Sequence, residues 1–169
     1  MSSTVRLFIA LWPTPGTLEA LVRHQKSWQW SASARLTRGE RMHLTLHFLG
    51  QVPTHRVEAL RRALGVPFEP FDLSLDTPET WRGGLAVLCA DAVPRELLAL
   101  HGSLAARLAR LSLPLEDRPL RVHATLARGA QRSRPPDAPD PVAWPAHDGY
   151  ALVRSLPGGQ GYETLQRFS

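Results

Sequence analysis

The sequence predicts an α+β fold, and three observations predict it. Strand-like and helix-like runs are mixed along the chain rather than segregated. Several strands are followed by short, hairpin-like returns instead of crossover helices. One strand motif recurs eighty residues on, as a repeated helix and strand unit would place it.

The elements follow in order. Val5 to Leu11 reads as a buried strand. Pro15 to Trp28 has helical spacing, with Leu18, Leu21 and Val22 on one side and Thr14 placed to cap its start. The run "MHLTLHFLG", Met42 to Gly50, alternates with period two. It puts His43, Thr45 and His47 on one face and Leu44, Leu46 and Phe48 on the other. Pro53 to Leu64 reads as a helix opened by its proline, with Val57, Leu60 and Leu64 on the apolar stripe. Strands follow near Phe71 to Leu75 and Leu85 to Ala90. Pro94 to Leu111 is the longest helix, with Leu97, Leu98, Leu104, Leu108 and Leu111 facing the core and His101 at its surface or boundary. Val122 to Ala127 is a strand. Gly129 to Pro145, rich in Pro, Asp and Arg, reads as a loop, and Tyr150 to Leu156 and Gly161 to Phe168 close the chain as a strand pair.

A chain of 169 residues suits one compact domain over residues 1–169, or two small lobes sharing a core, with no protein partner needed for folding. The single cysteine, Cys89, excludes a disulfide framework and a multi-cysteine zinc site, and it reads as a small core residue. The start MSSTVRLFIALWP is too short an apolar run for a membrane span and lacks a signal-peptide cleavage pattern, which points to the cytoplasm. The net charge of +5, carried almost wholly by arginine, favours anionic partners, nucleic acid first among them.

The recurring motif carries the chemistry. Arg121-Val122-His123-Ala124-Thr125-Leu126 repeats Arg41-Met42-His43-Leu44-Thr45-Leu46 in the pattern R-x-H-x-T-L. In both copies histidine and threonine share a strand face while their neighbours point to the core. Two histidines can supply a proton donor and a proton acceptor near neutral pH, and two hydroxyls can grip the nonbridging oxygens of a phosphate. A lone H-x-T on a strand is commonly structural; its duplication favours a functional pair. Zinc is the other functional reading, but His43 and His47 lie on a strand-like run and no Glu follows His43 as in H-E-x-x-H, so no metal is expected.

With "RLFIAL", "MHLTLHFLG", "RPLRVHATLAR" and "RSLPGGQGYETLQRF" in this order, the chain resembles the two-histidine phosphoesterases, and within them the RNA 2′,3′-cyclic phosphodiesterases, also called 2′-5′ RNA ligases. The resemblance implies a bilobal two-histidine phosphoesterase fold, with each lobe giving one motif to a central cleft. It implies His43 as general acid, His123 as general base, Thr45 and Thr125 as phosphate ligands, and Arg128 as a further phosphate contact. Strict alternation would send Arg128 to the face opposite His123, so a bend after Leu126 or a long reach is needed. The expected activity is metal- and cofactor-free hydrolysis of RNA 2′,3′-cyclic phosphate ends to 2′-phosphates, with reversible 2′-5′ joining as a second activity. A related esterase acting on small cyclic nucleotides or ADP-ribose cyclic phosphate, and a binding module for RNA ends without turnover, are the alternatives. His47 is expected at the cleft edge or surface.

Overall fold

A computed structural model describes residues 3–169. Its strands are β1 (Thr4–Leu11), β2 (Arg35–Leu36), β3 (Leu44–Pro53), β4 (Phe71–Leu75), β5 (Thr77–Trp81), β6 (Leu85–Cys89), β7 (His123–Arg128), β8 (Val142–Ala146), β9 (Tyr150–Ser155) and β10 (Tyr162–Phe168). The helices are α1 (Pro15–Lys26), α2 (Val57–Ala63) and α3 (Arg95–Arg110). Seven strands form one antiparallel sheet in the order β10-β9-β1-β3-β7-β6-β5, with β2 beside β7, while β4 and β8 pair apart from it. The α+β expectation holds.

Within this sheet β1, β3, β9 and β10 form one half, and β5, β6 and β7 the other. Among the described residues the halves join at a single matched pair, Leu44 with Ala124. An antiparallel pair has a local two-fold axis between its strands. The repeated motif therefore meets itself head to tail at its central residue, and beyond that pair the strands diverge.

Each motif strand carries a β-bulge at the same motif position. On β3, Ile9 faces His47 and Ala10 faces Thr45, leaving Leu46 unmatched. On β7, Ala86 faces Ala127 and Val87 faces Thr125, leaving Leu126 unmatched. An extra residue flips every later side chain to the other face. Both strands accordingly bury two consecutive residues, Leu46 with His47 and Leu126 with Ala127, and then expose Phe48 and Arg128. Buried polar side chains make hydrogen bonds at both bulges. Gln25 of α1 donates to the Leu126 carbonyl at 2.8 Å, and the Thr37 amide donates to the same oxygen at 2.8 Å. On the other strand, His47 donates from Nε2 to the His101 carbonyl of α3 at 2.9 Å, and the two rings stack at 4.0 Å.

The structure corrects several sequence expectations. Of the two places expected for His47, the structure selects the cleft edge and not the surface: it is 8% exposed, turned from the His43 face by the bulge, and it lines a cavity shared with Thr45, His123, Thr125 and Arg128. Phe48 is 46% exposed for the same reason. On α3 the stripe is Leu97, Leu100, Leu104 and Leu108, and Leu98, a hundred degrees off it, is 53% exposed. The second helix starts later than its proline: Pro53 ends β3, and a 3₁₀ turn over Thr54–Arg56 precedes α2. Gly129 to Pro145 is not all loop, since its last residues form β8, with Trp144 fully buried against Leu73 of β4. Pro145 is tolerated there because, among the described residues, β8 has β4 as its only ladder partner and so lies at a sheet edge.

The junction yields a test. Leu44 is 1% exposed, so Leu44→Ala should lower stability by about 2–5 kcal/mol through lost burial and a residual cavity. Urea unfolding should show a lower midpoint at unchanged slope; a loss under about 1 kcal/mol would mean the halves are held together elsewhere.

Candidate active site

The register at Leu44 and Ala124 brings all four polar motif side chains to one face. His43 falls opposite Thr125, and Thr45 opposite His123, by the antiparallel match on either side of that pair. Both histidines and both threonines line one cleft of about 260 Å³, together with Arg128. The bend required for Arg128 is the bulge at Leu126, which returns residue 128 to the face of Thr125. Gly129 fixes the exit of the strand: its φ is +64°, and a Cβ there would meet the Ser33 carbonyl at 2.7 Å.

The two imidazoles are held alike. His43 Nδ1 lies 2.7 Å from the Arg41 carbonyl, and His123 Nδ1 lies 2.6 Å from the Arg121 carbonyl. A carbonyl only accepts, so each Nδ1 carries the proton and each Nε2 is the working nitrogen. In the neutral ring His43 Nε2 accepts from the Thr45 hydroxyl at 3.0 Å.

Their surroundings differ. Phe8 stacks on His43 at 4.9 Å, while Trp12 and Tyr162 meet it edge-on at 5.5 and 5.3 Å. His123 packs on Trp81 at 4.4 Å, and Arg121 lies over the same indole at 4.1 Å. Glu79 fastens this group, accepting from Trp81 Nε1 at 2.6 Å and from Arg121 Nη2 at 3.0 Å.

Electrostatics follow from that packing. Burial holds His43 below the ordinary histidine value; the Arg41 carbonyl opposes this and a charge on His123 adds to it. Burial also lowers His123, against the Arg121 carbonyl, with the Arg121 guanidinium lowering it further and Glu116 raising it. Repulsion between the rings disfavours two charges at once. One proton shared by a close pair gives a donor and an acceptor across the same space.

All five site residues expected from the sequence line the one cleft, and His47 lies at its edge, in an adjoining cavity of about 440 Å³ that Thr45, His123, Thr125 and Arg128 also line. Sequence reasoning passed over Phe48, Tyr162 and Arg41, which line the cleft as well. Phe48 stands five residues after His43, as Arg128 stands five after His123, so the repeat itself held that signal. Among the described residues, no group of three His, Cys, Asp or Glu side chains is placed to hold a metal ion. No helix among them is long and apolar enough to cross a membrane.

Stability should depend on pH through the buried rings. Burial lowers His24, His43, His47, His101 and His123, with His101 brought down to about 4. The unfolded chain takes up protons near pH 6.5 and the folded chain does not, so stability is full above that pH and falls as pH drops toward each lowered value. Urea unfolding at pH 7.5 and pH 5 should show the loss, and His101→Gln should reduce it. A pH-independent midpoint across that interval would contradict these environments.

Comparison with known proteins agrees with this geometry. The profile of the family described as LigT-like phosphoesterase matches residues 11–86. The RNA 2′,3′-cyclic phosphodiesterase of Escherichia coli K12 is 32% identical over 136 residues, spanning 79% of this chain and 77% of that protein. E. coli LigT in apo form superposes with a TM-score of 0.84 at 26% identity, covering 99% of both chains. TT0787 of Thermus thermophilus does so at 0.75 and 31% identity, covering 97% of both. The repeated H-x-T-L motif, its shared cleft and a relative matched over most of both chains lead to one conclusion: the chain belongs to the LigT-like phosphoesterases.

Proposed function

We propose that this protein hydrolyses the 2′,3′-cyclic phosphate at RNA ends to a 2′-phosphate, with His123 as base and His43 as acid. The observation that carries the reading is the Leu44–Ala124 pair, which sets two carbonyl-supported imidazoles and two threonines around one cleft. The E. coli relative is an RNA 2′,3′-cyclic phosphodiesterase, and LigT of that organism has been crystallised with 3′-AMP.

His123 Nε2 takes a proton from water as its oxygen attacks phosphorus. The bond from phosphorus to O3′ breaks, and His43 Nε2 delivers a proton to that leaving oxygen. The 2′-phosphate remains, and solvent exchange returns each ring to its starting state. Thr45, Thr125 and Arg128 hold the nonbridging oxygens, where charge builds in the transition state. A 5′-hydroxyl in place of water would give a 2′-5′ linkage by the same proton movements, with no nucleotide cofactor. The compartment we assign is the cytoplasm.

The test uses a short RNA ending in a 2′,3′-cyclic phosphate. His43→Ala and His123→Ala should each lower kcat by about 10² to 10⁴-fold with circular dichroism unchanged. Arg128→Ala should cost more than Thr45→Ala or Thr125→Ala, because a guanidinium makes charge-assisted bonds. EDTA should leave the rate unchanged. Normal turnover in either folded histidine variant, or zinc-restored loss in EDTA, would overturn the assignment.

The pH profile adds a second check. The reactive state carries one proton on the pair, and both rings are held below their ordinary value. The bell of kcat/KM should therefore peak below about pH 6.5. Bound phosphate favours the charged imidazole, so the kcat profile should lie at higher pH. A kcat/KM profile still rising at pH 8 would exclude this pair as acid and base.

A further inference from the structure

Glu79 of β5 lines neither the cleft nor the cavity adjoining it. It lines a third cavity, of about 260 Å³, whose wall it shares with Arg121. Strand β6 lies between β5 and β7, so a contact from Glu79 to the segment leading into β7 has to cross a strand. That contact is made, and it falls on one atom. Glu79 Oε2 accepts from Trp81 Nε1 at 2.6 Å and from Arg121 Nη2 at 3.0 Å, and the Cys89 thiol of β6 points at the same oxygen from 3.8 Å. Burial, and then the Glu79 charge, push that thiol up to about 12, so it stays protonated and able to donate.

These contacts close a loop through His123. The indole that donates to Glu79 packs on the His123 ring at 4.4 Å, and His123 Nδ1 meets the Arg121 carbonyl at 2.6 Å. The Arg121 side chain then returns over the indole to Glu79. The repeat gives the comparison. Arg41, its counterpart, likewise offers its carbonyl to a histidine and fastens its guanidinium elsewhere in its own half, on the Gly159 carbonyl at 2.7 Å. A carbonyl orients an imidazole only as firmly as its own residue is held. His43 has the rings of Phe8, Trp12 and Tyr162 around it as well, whereas His123 has only Trp81. The base side therefore depends more on its fastening.

We infer that Glu79 is a positioning residue for His123: by fastening Trp81 and Arg121 together it fixes the plane of the base imidazole and aims Nε2 into the cleft. The inference rests on the reading of His123 as the base. Without Glu79 the indole and the guanidinium lose their common anchor, and the ring between them can turn. A misaimed Nε2 weakens proton transfer from the attacking water, which matters only in the transition state. Phosphate held by Thr45, Thr125 and Arg128 does not depend on that aim. The loss should therefore fall on kcat and not on KM.

Kinetics on the same cyclic-phosphate RNA test it. Glu79→Ala should lower kcat about tenfold or more with KM unchanged. Its urea midpoint should stay at the wild-type value, because a partly exposed ion pair adds little stability. Glu79→Gln keeps an oxygen that can accept from both donors and should recover most of the lost kcat. Trp81→Phe keeps a ring over His123 but has no N–H for Glu79; adding it to Glu79→Ala should cost less than its effect on the wild type. In NMR spectra of Glu79→Ala the Cε1–Hε1 signal of His123 should shift and broaden while that of His43 holds. An unchanged kcat, a loss carried by KM or by a lowered urea midpoint, fully multiplicative losses in the double variant, or an unmoved His123 signal would each overturn the inference and leave the hydrolase reading intact. No turnover by the wild type, or normal turnover in folded His123→Ala, would instead overturn the hydrolase reading and this inference with it.

Discussion

One backbone pairing, Leu44 with Ala124, is what the rest of the molecule depends on. Among the described residues it is the sole ladder contact between the halves of the main sheet, and it sits at the middle residue of both motif copies. A longer ladder would have closed the sheet and left the polar face as flat surface. With none, the motifs would drift apart. A single pair fixes the distance between two imidazoles and lets the strands diverge into a cleft on either side. The apolar faces of both strands, Leu44 and Ala124 among them, are buried in the common core, which makes that narrow join rigid.

The bulges convert this join into a site. Regular alternation would have directed Phe48 and Arg128 into the core and His47 into the cleft. The additional residue at Leu46 and at Leu126 exchanges those destinations. At one bulge the Leu126 carbonyl is met by Gln25 of α1, and the other bulge sets His47 against the carbonyl and ring of His101 of α3. Contacts from helices behind and beside the cleft thereby help set which side chains enter it. The aromatic cage of His43 and the Glu79-Trp81-Arg121 group behind His123 then give the two rings different electrostatic surroundings on a common backbone plan.

Much of this was legible in the sequence because it is written in periodicity and repetition. The R-x-H-x-T-L repeat announced two strands presenting the same face, and the geometry that Arg128 required could be stated as a bend after Leu126. The bulge on β3 was not legible, although it is the same bend. Met42 to Gly50 alternates well enough to be read straight through, and only the pairing partner β1 reveals the slip. Edge pairing was likewise hidden: Val142 to Ala146 contains proline, and its strand character comes from the β4 partner across which Trp144 is buried. On α3, Leu98 and Leu100 are equally apolar, and the face that is buried was chosen by the sheet beneath.

The local two-fold bears on regiochemistry. O2′ and O3′ of a cyclic phosphate are nearly equivalent attachments on one five-membered ring, and an acid and a base related by a rotation would cleave either bond equally well. The central four side chains are therefore indifferent to the product. What makes the outcome unique is the departure from symmetry around them: Phe48 where the other copy has Arg128, and a neutralised Arg121 where the other has an unpaired Arg41. In an enzyme built on this plan, the isomer released is decided by residues that transfer no proton.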